Sequence, residues 1–456
     1  MSGRGRLLFT VCLGAFMATL DTSIVNIALP QMARDFHSSL DGISWVMVLY
    51  LLVNVSLLLT SGRLGDLLAP GRLYLLGLGI FTGASALCGL SPDLPWLLAS
   101  RALQGVGASL MLGLAPKIIA LTYGEGERGL ALGLFSTAFA AGISVGAPLG
   151  GAITSHLGWP YIFFINLPIG AAGLLLGRSS LARLPAPAVW NWRAFDFKGA
   201  LILAGGMGAL LLALTRVRQT GGADGAALAA LAAAAGLLVL LVYLERRRSD
   251  PMLPGRLWRS WPFLVGSWAV VLTFAAVMGV FFLLPFFLEE VYGYTPQQTG
   301  WLLAALAATN ALVAPLGGYL ADRWGNLVIL RIGTGLILLG LGSLWFTQSQ
   351  ETTLGLAGRL VVIGLGFGLF QAPNLSEILW GLPPNLVGLA ASTNAVLKNL
   401  GALLGITLMV TVFAWFKLQL GPAAGLTAAA FHPALAVAAL VGALSLFTNL
   451  LPRRER

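Results

Sequence analysis

LGAFMATLDTSIVNIALP, residues 13–30, is long and apolar enough to cross a bilayer as a helix, yet it carries a carboxylate, Asp21, far from either end. A carboxylate at bilayer depth costs about 2.5–3.5 kcal/mol on insertion scales, so it is retained where it has a task. One such task is structural, a bond to a neighbouring helix that holds a bundle together. A second group points to chemistry instead: Arg101 lies in another apolar run. Asp21 is about 12 Å before the outer end of its span and Arg101 about 9 Å after the outer start of its own, at 1.5 Å of rise per residue. The two depths match, and Gln104 follows Arg101 on the same helix face.

The remainder of the chain is built to house such a pair. Of its 456 residues 57% are hydrophobic and 10% charged, with a mean hydropathy of +0.87, which excludes a soluble domain. Apolar runs able to cross about 30 Å of hydrocarbon occur at 7–29, 43–61, 72–91, 95–121, 130–155, 160–180, 198–215, 225–244, 262–289, 298–320, 327–347, 353–378, 386–416 and 430–450. The expectation is an all-α polytopic membrane protein with fourteen spans and both termini on one side. The first run is longer than the core of a signal peptide and lacks a small-residue cleavage site, so it is expected to stay in the mature protein.

Basic residues fix the side. With the N-terminus inside, the inner segments hold nineteen Lys and Arg and the outer ones four, Arg34, Arg216, Arg218 and Lys417. Tryptophans cluster near predicted span ends, as expected at membrane interfaces, with Trp268 the exception. The net charge of +10 is therefore the charge of membrane orientation, and a nucleic-acid partner is excluded. Both termini are expected in the cytoplasm and the protein in the cell membrane. Cys12 and Cys88 fall near opposite ends of their spans, which argues against a disulfide. His37, His156 and His432 lack metal-ligand spacing, and neither a metal nor a cofactor is indicated.

GRLGD at 62–66 has a counterpart, GYLAD, at 318–322, each closing the second run of its half. Two related halves follow: a bundle of six helices over 1–183 and another over 257–456. The segment 184–256 between them is expected to carry two inserted spans, flanked by interfacial linkers at 184–197 and 245–260. The inserted pair has no interior charge, so a spacing role fits it better than chemistry.

Four motifs in order resemble the major facilitator superfamily, and within it the fourteen-span drug:H⁺ antiporters. LDTSIVNIALP at 20–30 is similar to the first-helix motif of that group. LLASRALQGVGAS at 97–109 resembles the fourth-helix motif LxxxRxxQGxGA with no position missing. GISVGAPLGG at 142–151 resembles the fifth-helix antiporter motif GxxxGPxxGG through Gly142, Gly146, Gly150 and Gly151, with Pro148 one place late. WPYIFFINLPIG at 159–170 is similar to the start of the helix that follows. Each match is modest alone; four in sequence are specific.

The resemblance implies the major facilitator fold, two six-helix bundles plus two inserted transmembrane helices, working by alternating access around a midplane cavity. It also implies a cytoplasmic gating loop, GRLGDLLAPGR at 62–72, which keeps Gly62, Asp66 and Arg72 but has Leu67 and Ala69 where the family has Arg and Gly. The related GGYLADRWGN at 317–326 keeps Asp322 and Arg323.

Asp21 and Arg101 are the expected coupling pair, because a neighbouring arginine favours the charged carboxylate and desolvation the neutral one. A permanent structural ion pair is the alternative. Glu289, in FLLPFFLEEVYGYTP, is a second protonatable group or a carboxylate at the outer interface. Asn26, Gln104, Asn310, Gln371, Asn374, Asn394 and Lys398 are the polar groups expected to line the cavity. Lys398, about 18 Å into its span, argues against a uniformly anionic cavity. The glycines of GLGFGLF at 364–370 mimic a dinucleotide loop but lie in an apolar span, where they serve close packing.

No ATPase motif or nucleophile triad appears, so the chain is not read as an enzyme. The expected function is proton-coupled export of lipophilic or amphipathic compounds, with protons, the substrate and the bilayer as partners, by a monomer. A dedicated exporter or flippase of an endogenous lipid or metabolite is the runner-up. A receptor or scaffold that has lost transport is the third reading, and the retained Asp21 and Arg101 speak against it.

Overall fold

In lipid every backbone amide must be satisfied within the segment, so apolar runs of this length have only the helix open to them. The computed structural model describes residues 3–184, 197–220, 224–246, 257, 260–347, 352–382, 384–420 and 428–451, and among these all regular structure is α-helical. The expected linkers at 184–197 and 245–260 fall mostly outside the described residues. Packing divides the chain into two units, Met1–Ala204 and Gly205–Arg456.

The first unit contains α1 (Gly3–Asp35), α2 (Leu40–Leu67), α3 (Pro70–Gly89), α4 (Leu94–Thr122), α5 (Glu125–His156), α6 (Pro160–Phe164) and α7 (Asn166–Leu181). α8 (Phe197–Thr220) crosses the division, and the second unit continues with α9 (Gly225–Arg246), α10 (Trp261–Tyr292), α11 (Pro296–Trp324), α12 (Asn326–Leu344), α13 (Thr353–Leu379), α14 (Pro384–Leu420) and α15 (Ala428–Leu450).

Local chemistry sets many of the ends. Ser39 and Asp93 cap α2 and α4 by accepting from the amides of Gly42 and Trp96. Thr295 and Gln298 form a reciprocal capping box at α11. Gly293 closes α10 in a left-handed conformation, φ +69°, that a side chain would resist.

Twelve segments among the described residues are long and apolar enough to cross a membrane, with α6 and α7 forming one of them. α8 and α9 contain two shorter apolar stretches, Leu201–Leu210 and Gly225–Leu241. The fold is thus all-helical and polytopic, with twelve candidate spans where fourteen were expected. The sequence-based runs at 198–215 and 225–244 both lie within helices, α8 and α9, and are not among the twelve.

The two units repeat one packing scheme. In the first, α1 packs chiefly on α5, α4 on α2 and α3, and α7 on α1 and α3. In the second, α10 packs chiefly on α14, α13 on α11 and α12, and α15 on α10 and α12. Lipid supplies no hydrophobic drive for helices to associate, so close backbone approach has to do so. Gly142, Gly146 and Gly150 of α5 supply it: a Cβ at these sites would lie 2.5 Å from the Phe16 carbonyl, 3.0 Å from that of Leu20 and 2.9 Å from that of Ile24. Thr19 and Ser23 of α1 reinforce the seam, donating to the Phe139 and Ile143 carbonyls at 2.9 Å each.

The second unit repeats the device with Gly401 and Gly405 of α14 against α10. Gly364 and Gly368 of α13 meet α11 backbone while Gly366 meets the Gly333 carbonyl of α12. GLGFGLF is therefore a two-sided packing surface.

The seam makes a comparison of two glycines informative. A Cβ at Gly146 meets Ser23 Cβ at 2.6 Å, whereas one at Gly79 meets nothing within 4 Å. Gly146→Ala is expected to destabilise by about 1–3 kcal/mol, and Gly79→Ala to stabilise by up to about 1 kcal/mol through helix propensity. Thermal unfolding of the two variants in detergent reads the opposite shifts.

Candidate functional site

Asp21 and Arg101 meet. The Arg101 Nη1 donates to Asp21 Oδ2 at 2.5 Å, and both side chains are fully buried in the first unit. Gln104 Nε2 donates to Asp21 Oδ1 at 2.8 Å, and Asn166 Nδ2 to the same oxygen at 3.0 Å. All these bonds are donated to the carboxylate, the arrangement suited to an ion.

Arg101 is held from three further directions. Its Nε donates to the Val46 carbonyl at 3.0 Å and its Nη1 to Gln104 Oε1 at 2.6 Å. The Tyr50 ring lies against the guanidinium, 4.3 Å from centroid to Cζ, and the Phe163 ring lies at 5.9 Å. Its Nη2 is buried with no hydrogen-bond partner among the described residues. Ser85 of α3 closes the network, accepting from Gln104 at 2.9 Å and passing its own proton to the Phe81 carbonyl.

Asn166 reaches Asp21 from the start of α7, beside a mild irregularity in the sixth span where Ile165 stays right-handed helical, φ −60° and ψ −27°. Pro168 has no N–H to give the Phe164 carbonyl, and α6 gives way to α7 at Ile165. Asn166 opens α7 just after it. Asn166, Ser85, Tyr50 and Phe163 are members that the sequence reading did not single out. Asn166 carried a legible signal, an amide in an apolar run two residues before a proline; Ser85 carried none, since helix serines often bond their own backbone.

The polar groups of the second unit converge separately. Gln371 of α13 donates to Asn310 Oδ1 of α11 at 3.0 Å, and Lys398 of α14 donates to Gln371 Oε1 at 3.3 Å. Lys398 also lies over the Phe274 ring of α10, 5.5 Å from its centroid. Asn374 bonds the Gly266 carbonyl instead, and Asn394 is buried one turn before Lys398. Glu289 is half-buried near the end of α10, and Asn26 is buried in α1 beyond Asp21.

The segment expected as a gating loop is helical in part. Gly62 to Leu67 are the last turns of α2, and Asp322 and Arg323 lie in the last turn of α11. Arg72 is exposed in the first turn of α3, Asp322 is exposed, and Arg323 stacks over Tyr319 at 4.5 Å. The Asp66 side chain lies outside the described ones. Gly151 is buried in α5 beside the seam, and Pro148 interrupts that helix's hydrogen-bond ladder.

A model of the Major Facilitator Superfamily matches residues 11–406. The chain belongs to that superfamily. It is a multi-pass membrane transporter of the major facilitator type. Among its relatives is the riboflavin transporter RibZ of Clostridioides difficile, 35% identical over 89% of this chain and 88% of that protein. The multidrug resistance protein Stp of Mycobacterium tuberculosis is 32% identical over 90% and 76%, and the tetracenomycin C resistance and export protein of Streptomyces glaucescens is 30% identical over 89% and 75%. A crystal structure of a bacterial homolog to the human lysosomal transporter Spinster matches with a TM-score of 0.68 over 98% of this chain and 96% of that one, at 14% identity. That last likeness is one of fold.

In this facilitator the ion pair's energetics follow from its dryness. Removing one member of a buried pair strands the other and costs about 3–5 kcal/mol, while removing both is nearly neutral. Arg101→Met alone is expected to lower the unfolding midpoint sharply, and adding Asp21→Asn to restore part of the loss. Additive effects of the two substitutions in a double-mutant cycle would show that they do not share one interaction.

Proposed function

We propose that this facilitator is a proton-coupled exporter of lipophilic or amphipathic compounds, working by alternating access, with Asp21 as the proton-binding group and Arg101 as its counter-ion. The observation that supports this most is the buried carboxylate held by three donors. Protonating Asp21 removes the charge that retains Arg101, frees an arginine beside two aromatic rings, and so ties a proton to a rearrangement of α1, α4 and α7. The relatives named for multidrug resistance and for export support the direction of transport.

On this reading α8 and α9, of 24 and 22 residues, are two further spans, since about 36 and 33 Å of helix suffice to cross. Residues 184–256 are then an insertion between bundles of six spans at 1–183 and 257–456, both termini are cytoplasmic, and the protein acts as a monomer. The ends of α2 and α11, with Gly62, Asp66, Arg72, Asp322 and Arg323, form its cytoplasmic gate. Glu289 is the second carboxylate to consider for coupling.

A second reading, a dedicated carrier of one endogenous metabolite or lipid, is favoured by the 35% identity to a riboflavin transporter over nearly the whole length of both chains. Both readings use the same proton site; they differ in breadth, which competition among unrelated compounds measures.

Proton release from the purified protein in liposomes on adding substrate tests the coupling. Wild type is expected to release protons, and Asp21→Asn to abolish the release. Transport by Asp21→Asn with unchanged pH dependence would refute the assignment. Topology is tested apart from it: a cysteine at Asp224, between α8 and α9, is expected to react with an impermeant maleimide from outside the cell, and labelling only after permeabilisation would exclude the two added spans.

A further inference from the structure

The second unit contains a cation that the proton site leaves unexplained. Lys398 lies fourteen residues into α14, about 21 Å along its axis, and Asn310 is the central residue of the 29 in α11. Lysine at such depth is costly and persists where it has a partner. The carboxylates on α10 to α15 do not supply one: Glu289, Glu290, Asp322 and Glu377 all stand within the last turn of their helices. Glu377 is six residues, about 9 Å of rise, beyond the Gln371 that Lys398 touches.

The hydrogen-bond polarity of the cluster is fixed by chemistry. Lysine only donates, so Gln371 must turn its Oε1 toward Nζ and its Nε2 toward Asn310, and Asn310 must accept through Oδ1. The chain of three therefore ends in donors on both sides, ammonium protons at one end and the Asn310 amide at the other. The two amide oxygens keep a second lone pair each, but the one charge of the cluster is positive and spare protons lie at both of its ends, so an anionic group fits it. Beside it the rings of Phe274 and Phe367 pack edge to face with centroids 5.0 Å apart, an apolar surface next to the charge.

We infer that Lys398, Gln371 and Asn310 form the receptor for an anionic head group, a carboxylate, sulfonate or phosphate on a lipophilic body, and that the transported compounds are anionic amphipaths. This rests on the exporter reading above and narrows its substrate class. Gly401, one turn beyond Lys398, makes the site possible: a Cβ there would lie 2.9 Å from Phe274 Cβ, so only glycine lets α10 bring that ring beneath the ammonium. Gln371 positions the ammonium, and the Asn310 amide completes the cradle.

The test compares two probes, anilinonaphthalene sulfonate and its uncharged counterpart N-phenylnaphthylamine. Binding is measured by equilibrium dialysis against the full-length protein in phosphatidylcholine nanodiscs, with empty nanodiscs subtracted. Lys398→Ala is expected to weaken the sulfonate about thirtyfold or more and the neutral probe less than about twofold, with Lys398→Arg close to wild type. Equal losses for both probes would make Lys398 a structural tie between α13 and α14, and unchanged sulfonate affinity would remove it from recognition; either overturns the inference.

Replacing half the phosphatidylcholine with phosphatidylglycerol identifies the source of the anion. Weaker sulfonate binding to wild type, but not to Lys398→Ala, assigns the site to lipid head groups, and no change assigns it to a free compound. Proton release from proteoliposomes on adding the sulfonate, compared between wild type and Asp21→Asn, reads the exporter separately. If wild type shows no such release while Lys398-dependent binding persists, the coupling assignment falls and the anion site stands.

Discussion

The contact between Asp21 and Arg101 is the constraint to which the first unit answers. Neither charge is tolerable in hydrocarbon alone, and Coulomb attraction does not by itself offset the desolvation of both. The remaining cost is met by amides and hydroxyls from other helices: Gln104 and Asn166 on the carboxylate, the Val46 carbonyl on the guanidinium, and Ser85 behind Gln104. These come from α1, α2, α3, α4 and α7, so the pair is stable only where five helices reach one point. Backbones must approach closely for that, and Gly105, Gly107 and Gly113 let α4 lie against the backbones of α2 and α3.

This dependence explains what could be read from the sequence and what could not. Depth is one-dimensional, so counting residues from the ends of two apolar runs was enough to pair Asp21 with Arg101. Face is nearly as accessible: Gln104 follows Arg101 by three residues, and the glycines of α5 recur every four. Asn166 and Ser85 depended on which helices adjoin and at what rotation, which no spacing within one run records. The linkers and the Asp66 side chain lie outside the described residues. Of the segment expected as a loop at 62–72, the part up to Leu67 continues α2 and Pro70 starts the chain again as α3, which leaves only Leu68 and Ala69 between the helices.

The two units share a backbone plan and differ in charge. Gly142 and Gly146 recur as Gly401 and Gly405 at one constant offset, the first pair pressing α5 onto α1 and the second α14 onto α10. On that common frame the first unit places a carboxylate against an arginine, and the second places a lysine against an amide and an aromatic ring. The first unit is electrically closed at its centre and the second is not. Duplicated packing with unlike centres is what a carrier needs if one unit is to hold a proton and the other an ion of opposite sign.

The geometry of α1 then limits how its carboxylate can be exposed. Thr19 and Ser23 face α5, and Asp21, two residues from each, projects from the opposite side of the helix at 100° per residue. The α1 and α5 backbones are locked together by glycines and by two hydrogen bonds, so that side is the stiffest boundary of the site. α7 meets its neighbours differently: Gly170, Gly173 and Gly177 press on the side chains of Thr82, Leu78 and Thr10 rather than on backbone. It also begins at the Ile165 irregularity, with Asn166 touching Asp21 through a single amide. Side chains rotate more readily than backbones separate, and a helix that lacks a hydrogen bond at a proline bends more readily than an intact one. Asp21 therefore points away from the backbone-packed seam and toward helices held by side-chain contacts, with the Asn166 amide on its Oδ1.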